Sequence, residues 1–410
     1  MNEKTVSKAV EDSTKNLNNI SKLILGIQML FVAFGATVLV PLLTGLDPAV
    51  TLFTAGIGTL LFHWITKRKV PVFLGSSFAF ITPIVGGIKL YGIPGALCGL
   101  IAAGLVYVVV SMIIRKKGIK LIEKYFPAVV IGPVIICIGL ALAPVGVDMA
   151  KNNWLLAGIS LLVAIAMVIF GKKTVKLVPI LGGIFVGYIT AILLGKVDFM
   201  PVTQAAWFSV PNFVFPSFSW GAILYLAPVA IAPIIEHIGD IYTISEVTGK
   251  NFVEDPGIHR TLMGDGLATA LAGFFGGPPN TTYSEVTGAV ALTKVYNPAI
   301  MRIAALTAIV LAFFGKLGAV LKTIPQPVLG GIMMLLFGMI AAVGLRTLIQ
   351  SKPDMGKSRN LVIISIILTI GIGGASLSWG TFSIAGIGLA SVVGVLLNAI
   401  LPGREEKLVI

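Results

Sequence analysis

The chain has 410 residues, 56% of them hydrophobic and 11% charged, and its mean hydropathy of +0.99 lies far from the balance of a soluble domain. A formal net charge of +13 would suit nucleic acid only if the Lys and Arg gathered on one polar face, and they punctuate apolar runs instead. These features imply a polytopic membrane protein with the lipid bilayer as its surroundings and no nucleic-acid partner.

A polar tail, 1–23, precedes the first apolar run without a short hydrophobic region and cleavage site, so the first helix is expected to be retained. Apolar runs long enough to cross about 30 Å of hydrocarbon follow, near 24–44, 49–66, 70–87, 93–114, 122–147, 154–170 and 176–195. A connection rich in Pro and aromatics, 196–220, suits a membrane interface. A second set lies near 222–245, 261–275, 280–293, 298–318, 326–346, 360–374 and 382–401. Basic clusters occupy the N-terminal tail, "KRK" 67–69, "RKKGIK" 115–120, "GKK" 171–173, "SKPDMGKSR" 351–359 and the C-terminal "GREEK". The alternate loops "TGLDPAV", "GGPPN" and "GGASLSWG" carry few or no Lys and Arg. The positive-inside rule then gives a multi-pass protein of the cytoplasmic membrane with both termini cytoplasmic.

The expected fold is all-α, with about 14 transmembrane segments in two halves of seven. An odd number per half makes the halves enter the membrane in opposite senses, as inverted repeats do. The third segment of each half is polar and poor in helix formers: "GSSFAFITP" (75–83) and "PNTTYSEVTG" (279–288). Short extended strands are expected in these segments, 3 and 10. Backbone released from a helix at membrane depth is tolerated only where it lines a cavity, so matched interruptions point to a transporter's central site.

Three acids stand out inside apolar segments. Glu236 and Asp240 are four apart on one face of "APVAIAPIIEHIGDIYT", and Glu285 lies in the second interruption. An ionised side chain at the helix centre costs about 2.5–3.5 kcal/mol on insertion scales, which makes it a functional candidate by default. The alternative is a structural acid satisfied by backbone amides or a buried Lys, yet no Lys or Arg falls near the middle of a span. A carboxylate without a cation there favours its protonated form, which suits proton coupling by Glu236, Asp240 or Glu285. His237 is either a core histidine bonded to a neighbouring helix or a supporting partner of the acids. His63, beside Trp64, is expected at the interface. Glu254, Asp255, His259 and Arg260 are expected to form an ion-pair network within their loop, and Asp265 to end a helix.

Cys98 and Cys137 fall in spans and read as packing residues, with no disulfide framework. The chain has no phosphate-binding loop, "EHIGD" is not a two-histidine zinc motif, and three scattered histidines do not make a metal centre. No nucleophile, base and orienting group recur together. No catalytic residue, metal or cofactor is therefore expected, and an integral-membrane enzyme is disfavoured. An anion channel or exchanger remains an alternative of another class, although an anion site calls for basic groups or bare helix N-termini. "LGGIFVG" (181–187) and "VLGGIMMLLFG" (328–338) read as close helix packing.

"FGATVLVP", "LGSSFAFITP", "EHIGD", "DPGIHR" and "GGPPNTTYSE" together resemble the nucleobase/ascorbate transporter (nucleobase cation symporter 2) family, and within it the bacterial uracil permeases, over about residues 24–400. The resemblance implies a core domain (24–120 and 222–322) moving against a gate domain (121–221 and 323–410), commonly in a homodimer joined through gate helices. It implies symport of a nucleobase, uracil, with H+ or Na+ as the coupling ion. Carried onto this chain, Glu236 and Glu285 would hydrogen-bond the base, the backbone at Phe78 and Ser284 would supply amides, and Ser77 and Tyr283 would lie alongside. Phe78 and Tyr283 either cover a ring face or only pack. Asp240 stands where uracil permeases commonly have His, and Ser284 where they have Gly. Asp at the first position is similar to the purine (xanthine or urate) carriers, the alternative substrate class.

Overall fold

A computed structural model describes residues 18–118, 124–172, 175–379 and 382–403. The N-terminal tail to residue 17, parts of the basic stretches at 115–120 and 171–173, and "REEK" of the C-terminal cluster lie outside the described residues.

The protein is mostly helical. Among the described residues, six helical stretches are long and apolar enough to cross a membrane: Asn19–Thr44, Pro48–Ile65, Phe78–Lys117, Ala128–Lys151, Trp220–Thr248 and Gln326–Ser351. Five shorter apolar helices join them: Trp154–Phe170, Pro179–Leu193, Pro298–Ala312, Ser358–Ile372 and Gly386–Ile400. Local chemistry sets the ends. Asp47 and Asn297 accept hydrogen bonds from the first free amides of the helices that begin at Pro48 and Pro298, where proline loses no needed donor. Gly92, at φ 69° and ψ 171°, breaks the stretch Ile81–Lys117 where the sequence reading separates two spans.

Two groups of helices pack most extensively among themselves. Ala128–Lys151 lies along Gln326–Ser351, and Ser358–Ile372 along Gly386–Ile400. In the other group, Ile258–Phe275 packs on Ile81–Lys117 and Pro48–Ile65, and Pro298–Ala312 on Pro48–Ile65 and Asn19–Thr44. Glycines let backbones approach. A Cβ on Gly344 would sit 2.6 Å from the Gly132 carbonyl, and one on Gly266 2.7 Å from the Gly104 carbonyl. Gly183, Gly187, Gly330 and Gly331, from the two stretches read as packing motifs, all face crowded neighbours, whereas Gly338 faces open space. Cys98 and Cys137 are free thiols.

Several sequence expectations are corrected. His63 is fully buried, not interfacial, and its Nε2 lies 3.0 Å from the Val72 carbonyl because the chain folds back beneath it. Asp265 does not end a helix: the helix starts at Ile258, so Asp265 falls two turns inside and is fully buried. The acids of the 254–260 loop do not pair within it. Asp255 binds Lys69 at 2.5 Å, and Arg260 donates to the Ile65 carbonyl at 3.4 Å. The last span is preceded by an antiparallel hairpin, Ser376–Trp379 with Phe382–Ala385.

Candidate functional site

Two three-residue strands lie at the centre. Leu74–Ser76 (β1) pairs antiparallel with Asn280–Thr282 (β2) in the register Leu74↔Thr282, Gly75↔Thr281, Ser76↔Asn280. All six residues are buried. Two strands of three residues leave most edge groups unpaired, a cost that hydrocarbon does not forgive. Two threonine hydroxyls of the surrounding helices meet part of it, and two strand side chains tie the pair to helix carbonyls. Thr59 Oγ1 accepts from the Leu74 amide at 2.9 Å, Thr269 Oγ1 donates to the Asn280 carbonyl at 2.8 Å, and the Thr37 carbonyl accepts from Ser76 Oγ at 2.9 Å. Asn280 Nδ2 reaches the Thr54 carbonyl at 3.0 Å.

Each strand runs into a helix start. After β1 the chain forms a short 3-10 turn at Phe78–Phe80 and continues as Ile81–Lys117; after β2 it enters the helix Ser284–Thr293. The antiparallel register sends these helices away from the crossing in opposite directions. The first amides of each have no partner within their own helix and carry its positive dipole end. The Ser77 amide is taken by the Pro279 carbonyl at 2.8 Å, and the Ser77 hydroxyl is buried without a hydrogen-bond partner. Tyr283 donates to the Ser76 carbonyl at 2.9 Å. Its ring lies near parallel to Phe78, 14° between planes and 6.4 Å between centroids.

The third wall is the helix Ile231–Thr248, which carries Glu236, His237 and Asp240. Asp240 is buried and accepts from Thr282 Oγ1 at 2.7 Å and from Ser284 Oγ at 2.5 Å. Glu236 and Glu285 are half-buried. Among the described residues the ion pairs are Lys69–Asp255, Lys151–Asp148, His237–Asp265 and Lys322–Asp47, so none of Glu236, Asp240 and Glu285 is neutralised by a basic side chain. The expected residues Glu236, Asp240, Glu285, Phe78, Ser77, Tyr283 and Ser284 thus come from three chain segments that pack about one strand pair. The assembly sets carboxylate acceptors and the first amides of two helices beside two aromatic rings. Among the described residues no group of three or more His, Cys, Asp or Glu could hold a metal.

Residues 20–378 match the model of a permease family. The chain is 54% identical over 398 residues to a probable uracil permease of Pasteurella multocida, covering 95% of both chains. It is 47% identical to the uracil permease of Bacillus caldolyticus, covering 93% of this chain and 92% of that one. It is also 40% identical to the uracil permease of Escherichia coli, over 92% and 90%. The chain belongs to the permease family. Solved structures with the same fold include the transmembrane domain of a cyanobacterium bicarbonate transporter, BicA, with a TM-score of 0.63 at 15% identity, over 92% of this chain and 96% of that one. The murine Solute Carrier 26 member A9 anion transporter in its inward-facing state gives 0.66 at 13%, over 95% and 70%. These two share fold alone. The permease is accordingly a multi-pass membrane transporter and not an enzyme.

The sequence reading missed three residues near this site. Asp265 lies 3.2 Å from His237 Nδ1, with both side chains fully buried; its place next to a polar loop hid it. Thr282 binds Asp240, and a lone threonine gives no signal in sequence. Phe337, on Gln326–Ser351, meets Phe78 edge-on at 6.1 Å and brings the helix group of Ala128–Lys151 and Gln326–Ser351 against the permease's strand crossing.

Proposed function

We propose that this permease imports uracil across the cytoplasmic membrane by proton symport, through movement of a core domain (24–120 and 222–322) against a gate domain (121–221 and 323–410). The observation that carries the reading is the pair of cation-free carboxylates, Glu236 and Glu285, beside two helix starts with free amides. Uracil presents two ring N–H donors and two carbonyl acceptors on a flat ring. Glu236 and Glu285 would accept the N–H groups, the amides at Phe78 and Ser284 would donate to the carbonyls, and Phe78 and Tyr283 would cover the faces. The names borne by the relatives support the same substrate.

An anion, which the fold neighbours' names suggest, would find the two helix starts but also two carboxylates that repel it and, among the described residues, no basic side chain paired with them. Protonation of Glu236 as the base binds would let substrate and proton travel together. Asp240 is the weaker proton carrier because both its oxygens already accept hydroxyls. The segment pattern supports fourteen crossings in two inverted repeats of seven, with both termini cytoplasmic, and the resemblance supports a homodimer through gate helices.

The test is uptake of radiolabelled uracil into proteoliposomes with and without an inward pH gradient. Accumulation that follows the gradient is the expected result. Uptake indifferent to pH but driven by sodium would replace the coupling ion, and competition of uracil uptake by xanthine would move the substrate class toward purines.

A further inference from the structure

The helix Ser284–Thr293 has ten residues and no side-chain cap: Tyr283 occupies the cap position without capping it. Its first turn nevertheless carries Glu285 and the free amides on which the proposed site depends. What fixes that turn in space is Asp240. One carboxylate oxygen accepts from Thr282 at 2.7 Å, at the end of β2, and the other from Ser284 at 2.5 Å, at the first helical residue. Asp240 is 5% exposed and Thr282 2%, so the Thr282 bond is shielded from competing solvent, whereas Ser284 is exposed and its bond is buried on the Asp240 side alone; hydrogen bonds to a charged acceptor are among the stronger ones. Thr282 is also the strand partner of Leu74. A single carboxylate thereby ties the helix Ile231–Thr248 to the strand pair and to the helix start at once. Each oxygen keeps a second lone pair, but a proton placed on Asp240 would weaken both bonds, which are strongest to the charged carboxylate.

We propose that Asp240 is a positioning residue that latches the first turn of Ser284–Thr293 through Thr282 and Ser284, and that it does not carry the transported proton. The proposal rests on the uracil:proton reading for its transport readout only. The titratable groups around Asp240 are Glu236 and His237 on its own helix, Glu285 on the latched helix, and Asp265, which faces His237 from Ile258–Phe275. Ser284 consequently offers a ligand its backbone amide as donor, while its hydroxyl, whose hydrogen is held by Asp240, can only accept.

The experiment uses the full chain, purified in detergent and in proteoliposomes, with Asp240→Asn, Asp240→Ala, Thr282→Val and Ser284→Ala. Asparagine can accept one hydroxyl and donate to the other, so Asp240→Asn is expected to raise the KM for uracil about threefold to fivefold. Its pH profile and its response to the gradient should stay those of the parent. Thr282→Val and Ser284→Ala should each weaken uracil binding about fivefold, and Asp240→Ala about tenfold or more. Either hydroxyl variant added to Asp240→Ala should cost less than it does alone, because the partners share one interaction. Amide hydrogen exchange over 282–287, measured without substrate, should quicken in Asp240→Ala. Loss of the gradient response in Asp240→Asn with binding intact would overturn the proposal, as would hydroxyl variants that bind like the parent. If the parent binds no uracil, the functional reading falls, and the exchange measurement still decides the latch: unchanged protection in Asp240→Ala refutes it.

Discussion

His237 Nδ1 lies 3.2 Å from Asp265 Oδ2, and neither side chain exposes any surface. The two sit on adjoining helices directly behind Glu236, and Phe62 packs edge-on against the imidazole at 6.4 Å between ring centroids. Removing one member strands the other polar group in a medium that cannot solvate it, at a cost of about 1–3 kcal/mol. Asp265→Ala is therefore expected to lower the thermal unfolding midpoint in detergent sharply. His237→Ala combined with Asp265→Ala should cost less than the two singles together. A midpoint unchanged in Asp265→Ala would show that the pair contributes nothing to stability.

Glu285→Gln tests the ligand side of the site. Glutamine keeps the volume but turns one acceptor into a donor, which faces a ring N–H with another N–H. Loss of a charge-assisted hydrogen bond of this kind corresponds to about a 30- to 100-fold fall in uracil affinity. Folding should survive, since among the described residues no cation depends on Glu285 and a negative charge at a helix N-terminus is worth only about 0.3–1 kcal/mol. Isothermal titration beside a melting curve separates the two effects. Unaltered affinity would remove Glu285 from the ligand groups.

The strand crossing is visible in sequence because it violates its surroundings. Glycines, prolines, hydroxyls and a carboxylate at 276–289 cannot be mistaken for lipid-facing helix, and the stretch 75–83 departs in the same way. Glu236 and Asp240 are legible for a similar reason, as acids in an apolar run. What stayed hidden are the residues whose meaning depends on a partner. Asp265 reads as a boundary residue because "EDPGIHR" reads as loop, whereas the helix begins at Ile258. Asp240 and Ser284 read as two separate departures from the uracil permease pattern, and only the fold shows that they touch. Thr59 and Thr269 look like ordinary helix threonines until the strand edges their hydroxyls serve are in place.

Gly75 makes the close fit of the crossing testable. A Cβ there would run into the Tyr283 ring and lie 2.7 Å from Thr37 Oγ1. The ring cannot swing aside without breaking the bond from its hydroxyl to the Ser76 carbonyl. Gly75→Ala is expected to cost about 1–3 kcal/mol through overpacking, with loss of uracil binding as Tyr283 moves off Phe78. Gly288→Ala is the contrast, since nothing lies within 4 Å of its added methyl and alanine favours the helix by up to about 1 kcal/mol. Its midpoint should stay level or rise. Equal melting curves for the parent and Gly75→Ala would mean that the crossing has slack the packing does not reveal.

Outside the membrane-spanning segments, Lys69 joins the turn after Pro48–Ile65 to the loop before Ile258–Phe275 through Asp255. The hydrogen bond from Lys69 holds the Asp255 carboxyl below its usual value, and the charges of Lys69, Lys67 and Arg260 act in the same direction. A carboxyl whose folded value is lowered stabilises the fold above its unfolded value and loses that contribution as pH falls through the folded one. The midpoint difference between the parent and Lys69→Met should therefore be steady from neutral pH down to the ordinary carboxylate range and fade below it. Both side chains are largely exposed, 41% and 66%, so the difference should be small and should shrink as salt is raised. A difference that instead grew on acidification would assign the stabilisation to some group other than Asp255.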